Sequence, residues 1–271
     1  MPELPEVETT RRGIAPNLIQ HKIVRVLVRM PNLRWPVPAE LTQLLTGKTV
    51  NRVTRRAKYI LLWVDGGSVL IHLGMSGSLG LVQADLTPGK HDHVDFFLDS
   101  GILLRFTDPR RFGSILWLAS DPFEHPLLAN LGPEPLSDSF DGEYLHRRSR
   151  GRKVAVKMLL MNNRLVAGIG NIYASEALFV AGIRPDRAAG RISRTRYETL
   201  SACIKEVLNR AIEMGGTTLR DFLNADGRPG YFKQTLMVYG RADQPCTKCR
   251  KLLKQIRLGQ RSSVFCSSCQ R

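Results

Sequence analysis

Gly132-Pro133-Glu134-Pro135 marks the point at which the hydrophobic period of this chain changes. On its N-terminal side short β-type runs recur: Lys22 to Arg29, Tyr59 to Val64, Val69 to Leu73, Val94 to Leu98, Ile102 to Phe106 and Ser114 to Leu118. Turn signals such as Asp65-Gly66-Gly67 and Ser100-Gly101 separate them, and that spacing predicts a β-sandwich or barrel. Ahead of the strands, residues 5 to about 20 read as a helix, with Pro5 suited to a first turn and Glu6 and Glu8 complementing the positive end of the dipole. On the C-terminal side the period becomes helical, near Asp141 to Arg148, Val154 to Met161, Ile172 to Ala181 and Thr195 to Met214. The last of these has a Thr195 to Glu198 capping box, carries Cys203 as a small core residue, and stops at Gly215-Gly216. Residues 216 to 232 read as a long functional loop.

Cys246-Thr-Lys-Cys249 and Cys266-Ser-Ser-Cys269 lie 16 residues apart near the end of the chain. Two tight knuckles at this distance can close a four-thiolate shell around one zinc ion, which leaves no open position for water and makes the ion structural. Two disulfides or a redox pair is the competing reading. The expected class is therefore α+β and multidomain: an N-terminal helix plus β-sandwich over 1–134, a helical domain over 135–236, and a zinc module over 237–271.

Forty Lys and Arg against 24 Asp and Glu give a formal charge of +16, which points to a polyanionic partner. No apolar run is long enough to span a bilayer, and the N-terminus lacks the pattern of a signal peptide. The expected location is cytoplasmic. From Cys246 onward seven Lys or Arg stand with no acidic residue. A second acid-free run, Arg147 to Lys153 with Lys157, is a solvated face if taken alone; beside the zinc module it reads as a phosphate-binding surface.

Pro2-Glu3-Leu4-Pro5-Glu6 could be no more than a helix lead-in. The PELPEVE stretch is followed by RRAKY at 55–59, HLGMSG at 72–77, KHDHVD at 90–95, TDPRRFG at 107–113, LGPEPL at 131–136 and GIGNIYASE at 168–176. Together with the terminal cysteines, these motifs closely resemble the formamidopyrimidine-DNA glycosylases, in order and over essentially the whole chain.

The resemblance implies a two-domain clamp in which the helical part is a helix-two-turn-helix domain with a zinc-finger β-hairpin, and DNA runs in the cleft. It implies a monomeric, nucleoid-associated repair enzyme whose partner is duplex DNA containing oxidised purines and whose cofactor is one structural Zn2+. With Met1 removed, Pro2 would be the nucleophile: an α-amino group titrates near neutrality, and a secondary amine joined to the sugar gives an iminium that stays cationic. Glu3 would be the general acid, a role that needs a proton held in a water-poor pocket. Lys58 and Arg261 match residues linked with the elimination steps; arginine hardly ever deprotonates, so both read as phosphate clamps. Met75, Arg110 and Phe112 match residues inserted into the duplex once the damaged nucleotide is flipped out. His91 and Asn171 match backbone contacts. A lysine of the family falls on Gly151, where Arg152 is a neighbouring substitute.

Each of these residues also has an ordinary reading: surface charges for Glu3, Lys58 and Arg110, core for Met75 and Phe112, a structural histidine and a capping asparagine for His91 and Asn171. At the level of function two competitors stay open. One is an endonuclease VIII-like enzyme for oxidised pyrimidines, whose members typically have glycine where this chain has Leu4. The other is a non-catalytic zinc-containing DNA-binding protein.

Overall fold

The computed structural model describes residues 2–217 and 232–271, and the chain divides into two compact units. Most of the loop read over 216–232 therefore lies outside the described residues.

The first unit contains residues 1–129 and takes the chain back at 214–233. It opens with α1 (Leu4–Leu18) and β1 (Ile23–Val28), followed by α2 (Leu41–Leu45), β2 (Val50–Arg56), β3 (Tyr59–Val64), β4 (Gly67–His72), β5 (Ser78–Gln83), β6 (Asp92–Leu98), β7 (Ile102–Thr107), β8 (Ser114–Leu118) and α3 (Pro126–Ala129). The strands form two four-stranded antiparallel sheets, ordered β1-β6-β7-β5 and β2-β3-β4-β8. This is the expected sandwich. Val26, Phe96, Leu104 and Phe106 from one sheet share a core with Val53, Leu62, Ile71 and Ile115 from the other, and α1 adds Val7, Ile14 and Leu18. Strands β2 and β5 escape the pattern reading. A register shift between Val50 and Arg52 breaks the alternation of β2, and Gly80 sits inside β5. Pro16 is accommodated within α1, which ends two residues later.

Buried charge also holds the first sheet together. Arg105 on β7 donates to both Asp95 oxygens at 2.9 and 3.0 Å, and Arg29 reaches the same carboxylate. Burial alone would raise the Asp95 carboxyl; the two guanidinium groups outweigh it and hold it below the usual carboxylate range.

The second unit contains 130–213 and 234–271. It has α4 (Gly142–Ser149), α5 (Val156–Leu160), α6 (Asn171–Val180), α7 (Arg194–Glu213) and the antiparallel hairpin of β9 (Lys254–Leu258) and β10 (Arg261–Phe265). Two helix starts differ from expectation. Val154 and Ala155 are not helical, because Ala155 pairs with Ala188 in a β-bridge before α5 begins. The expected Thr195 to Glu198 capping box does not form: α7 starts at Arg194, so Thr195 is already inside the helix. The Ser193 hydroxyl accepts the Arg196 N–H instead, and Glu198 accepts from Arg194 at 3.2 Å. The helix stops as expected, with Gly215 and Gly216 at φ 76° and 80°. No helix among the described residues is long and apolar enough to cross a membrane.

Candidate active site and metal centre

Pro2 and Glu3 are buried at the start of α1, Glu3 in the N-cap position with 2% exposure. A buried helix start leaves backbone donors in need of partners. The Glu6 carboxyl satisfies one of them, accepting the Glu3 N–H at 2.8 Å, and with its other oxygen accepts the Thr217 N–H at 2.8 Å. Sequence reading assigned Glu6 only to the dipole and missed this contact, which depends on a residue 211 positions away.

Lys58 lies in the two-residue turn between β2 and β3, where Arg56 pairs with Tyr59 and Ala57 takes φ 52°. Arg55 ties the turn to α1, donating to the Ala57 carbonyl at 2.9 Å and to Glu8 at 3.1 Å. Burial pushes the Glu8 carboxyl up, but the guanidiniums of Arg11, Arg12 and Arg55 bring it below its ordinary value. Lys58 itself is 8% exposed, which removes the surface-pair reading. His72, at the end of β4, lies close enough to feel Lys58. Burial, then the charges of Lys58 and Arg34, lower its pKa to about 4 against the opposing pull of Asp108. The Gly74 N–H donates to its Nδ1 at 3.0 Å.

Three further loops of this unit carry Met75, His91, Arg110 and Phe112. Met75 and His91 are half-buried, and Arg110 and Phe112 exposed. The Arg110 guanidinium stacks 4.9 Å from the centre of the Phe112 ring. Phe112 is 44% exposed, so it is not core. Asp108 lies beneath all three loops, fully buried.

In the second unit, Asn171 opens α6 while Gly170 takes the cap position, so the asparagine does not cap the helix. Its Oδ1 is buried with no partner among the described residues. Gly151 follows the end of α4 at φ 69°, with open space where a side chain would stand, and the adjacent Arg152 is exposed, its Nε bonded to the Arg148 carbonyl at 2.7 Å. Lys157 departs from its reading as a DNA-contacting member of the basic run, because its ammonium group is turned inward. It is fully buried in α5 and donates to the Ser262 carbonyl at 3.1 Å and the Ser263 hydroxyl at 2.7 Å. It thereby anchors β10, whose first residue is the exposed Arg261. Gly259 and Gln260, both at positive φ, make the two-residue turn before Arg261. Glu176, unassigned by the sequence reading beyond its motif, accepts backbone N–H bonds from Met237, Val238 and Tyr239 at 2.8 to 3.0 Å and binds that segment to α6.

The sulphurs of Cys246, Cys249, Cys266 and Cys269 all lie within 4.8 Å of one another. Thiolates ~2.3 Å from a tetrahedral zinc would stand ~3.8 Å apart, and the pairs Cys246 with Cys269 and Cys249 with Cys266 are at 3.9 and 3.4 Å. The four cysteines thus fit one zinc ion with no coordination position left open, and none of them is in a disulfide. Gln270 fastens the second knuckle, accepting from the Cys266 N–H at 2.9 Å and donating to the Ile183 carbonyl at 2.8 Å.

Comparison with known proteins gives one consistent result. Residues 1–115 match the family model described as formamidopyrimidine-DNA glycosylase N-terminal domain, 131–223 the H2TH domain of the same glycosylases, and 243–271 a zinc finger found in FPG and IleRS. The formamidopyrimidine-DNA glycosylase of Hahella chejuensis is 59% identical over the full length of both chains. The solved MutM (Fpg) protein of Thermus thermophilus is 37% identical with a TM-score of 0.88, covering 99% of this chain and 98% of that one. A Lactococcus lactis FPG mutant in complex with Fapy-dG-containing DNA is 32% identical with a TM-score of 0.92, covering both chains completely.

Proposed function

The chain belongs to the formamidopyrimidine-DNA glycosylase family, and from that premise we propose which of its own residues carry the reaction. It is a base-excision-repair enzyme that removes oxidised purines from duplex DNA and then cleaves the abasic strand by lyase chemistry, with one structural zinc. With Met1 removed, the Pro2 amine attacks C1′ of the damaged nucleotide and the base leaves with a proton from Glu3; the nitrogen then gives up its own proton to the Glu3 carboxylate, which returns it to O4′ as the C1′–O4′ bond opens. The nitrogen then holds C1′ as an iminium. Loss of a proton from C2′ expels the 3′ phosphate, and a second elimination expels the 5′ phosphate. The cationic nitrogen takes up the electrons of each C–H bond broken.

Lys58 and Arg261 hold the phosphates around that sugar. Met75, Arg110 and Phe112 fill the space left in the duplex, with His91, Asn171, Lys157 and the Gly151-Arg152 stretch serving the DNA backbone, Lys157 by anchoring the strand that carries Arg261. The carrying observation is the buried Pro2-Glu3 start of α1, backed by Glu6 and tied through Arg55 to the Lys58 turn. A binding protein has no need to bury its first residues in this way. The four cysteines would hold zinc with no coordination position left for a reacting group, so the ion would join the two knuckles and leave the bond breaking to the side chains named above. We assign the protein three functional modules, 1–134 for catalysis, 135–236 for the helical DNA-binding part and 237–271 for the zinc finger, and a cytoplasmic location on nucleoid DNA.

The test is strand cleavage of duplexes bearing 8-oxoguanine or an oxidised thymine, resolved on a gel. We expect faster cleavage at 8-oxoguanine, with phosphates left on both sides of the gap. Cleavage confined to the oxidised thymine would move the chain to the endonuclease VIII-like reading, and binding without cleavage of either would leave a non-catalytic protein.

A further inference from the structure

Met75, His91, Arg110 and Phe112 come from three separate loops, and one buried residue on the last of them, Asp108, bonds to the other two, by its side chain to one and by its backbone to the other. The Oδ1 of Asp108 accepts the Ser76 hydroxyl at 2.7 Å and lies 3.3 Å from the Arg110 N–H, which is also 3.2 Å from the Ser76 oxygen. Its Oδ2 accepts the Gly113 N–H at 2.8 Å. The backbone of the same residue completes the junction: its N–H donates to the His91 carbonyl at 3.0 Å, and its carbonyl is 2.8 Å from the His93 Nε2. The Met75 loop and the Phe112 loop also touch backbone to backbone. A Cβ on Gly74, which has φ +64°, would stand 2.4 Å from Phe112 C and Gly113 N.

We propose that Asp108, through Ser76, is a positioning residue that locks these loops together, so that Met75, Arg110 and Phe112 enter the duplex as one preformed group. The inference rests on the insertion role given to those three residues above. Its physical basis is entropy. A wedge offsets the free energy of unstacking a base only to the extent that its own loops need no ordering at the moment of insertion. Loops already joined through a buried carboxyl group enter with little left to lose. Asp108→Asn replaces one acceptor oxygen with an NH2 group: turned toward Gly113 it faces an N–H, and turned toward Ser76 it takes away the acceptor of a hydroxyl whose oxygen already receives the Arg110 N–H. Ser76→Ala removes the link between loops and leaves the Gly113 bond in place.

The experiment compares single-turnover cleavage of two duplexes by the full-length zinc-loaded enzyme, one with a paired 8-oxoguanine and one with a preformed abasic site. The second has no damaged base to unstack, so it depends less on the wedge. The ratio of the two rate constants is independent of how much of a preparation is folded, because misfolding lowers amplitudes and leaves the ratio unchanged. We expect Asp108→Asn and Ser76→Ala each to lower the lesion-to-abasic ratio about tenfold, the factor expected for one buried hydrogen bond. Ser76→Thr, which keeps the hydroxyl, should restore it. Met75→Ala and Arg110→Ala serve as references and should lower the same ratio. If they do while Ser76→Ala and Asp108→Asn leave it unchanged, the positioning role is wrong and the wedge stands. If all four leave it unchanged, the wedge reading fails and this inference with it.

Discussion

Glu3 and His72 are the residues whose surroundings make the sharpest single-site predictions. If Glu3 is the acid for base departure, Glu3→Gln should slow release of 8-oxoguanine by about two to four orders of magnitude. Cleavage at a preformed abasic site should fall much less, since no base remains to be protonated. Equal losses on both substrates would make Glu3 a structural residue. His72 predicts a pH effect on stability. Its pKa is lowered to about 4 by burial and by Lys58 and Arg34, with Asp108 opposing. Below the unfolded value near 6.5 the unfolded chain therefore binds a proton that the folded chain does not. Stability from this group is fully present above about 6.5 and is lost as pH falls toward 4, by at most about 3 kcal/mol. The melting temperature of His72→Gln should accordingly drop less between pH 7 and pH 5 than that of the parent; parallel curves would contradict the assignment. Pro2, Glu3 and the four cysteines stand out in the sequence because their types and spacings are unusual. Glu6, Ser76 and Asp108 do not, since each acts through partners that only folding brings near: Glu6 through Thr217, and Asp108 through Ser76 and the backbone near His91.

Among the described elements, the C-terminal hairpin is the one whose flanking cysteines are placed to bind an ion. Four clustered thiols resist losing protons together; burial and hydrogen bonds from the other three sulphurs push the Cys269 thiol up to about 12 when no cation is present. A dication reverses that balance, so binding and folding of the segment are one event. Cys249→Ala or Cys266→Ala should lower the metal content from one zinc per chain and weaken DNA binding, both measurable on the same preparation. Fully active protein without zinc would overturn this. The hairpin turn is a second test. Gly259 has φ +49°, a left-handed conformation that a β-branched residue adopts only under strain, so Gly259→Val should keep zinc while displacing Arg261 and slowing strand cleavage. Unchanged cleavage would mean that the position of Arg261 does not matter. The sandwich was legible from short apolar runs bounded by turn signals, as in β3 and β4, which are buried almost throughout. It was not legible where the bulge in β2 shifts the register. The start of α7 was misread because Thr195 and Glu198 have the right identities for a cap, but Ser193 two residues earlier takes that position.

At the scale of the whole molecule, a net charge of +16 predicts DNA affinity that falls steeply with salt. Arg261→Ala should reduce the log–log slope by about one unit if it holds a single phosphate, and an unchanged slope would take Arg261 off the DNA. Family membership was legible because the motifs run in order through the entire chain. The role of Glu6 was not, because its partner Thr217 lies 211 residues away and no local pattern encodes that pairing. The claim on which everything else depends is the covalent one. Borohydride added during reaction with an 8-oxoguanine duplex should reduce the iminium and leave a stable protein–DNA adduct that maps to Pro2. Undamaged duplex should give none, and a chain that retains Met1 or an N-terminal tag should bind DNA yet fail to trap. An adduct formed at the normal rate by the blocked chain, or one mapping to Lys58, would contradict the mechanism.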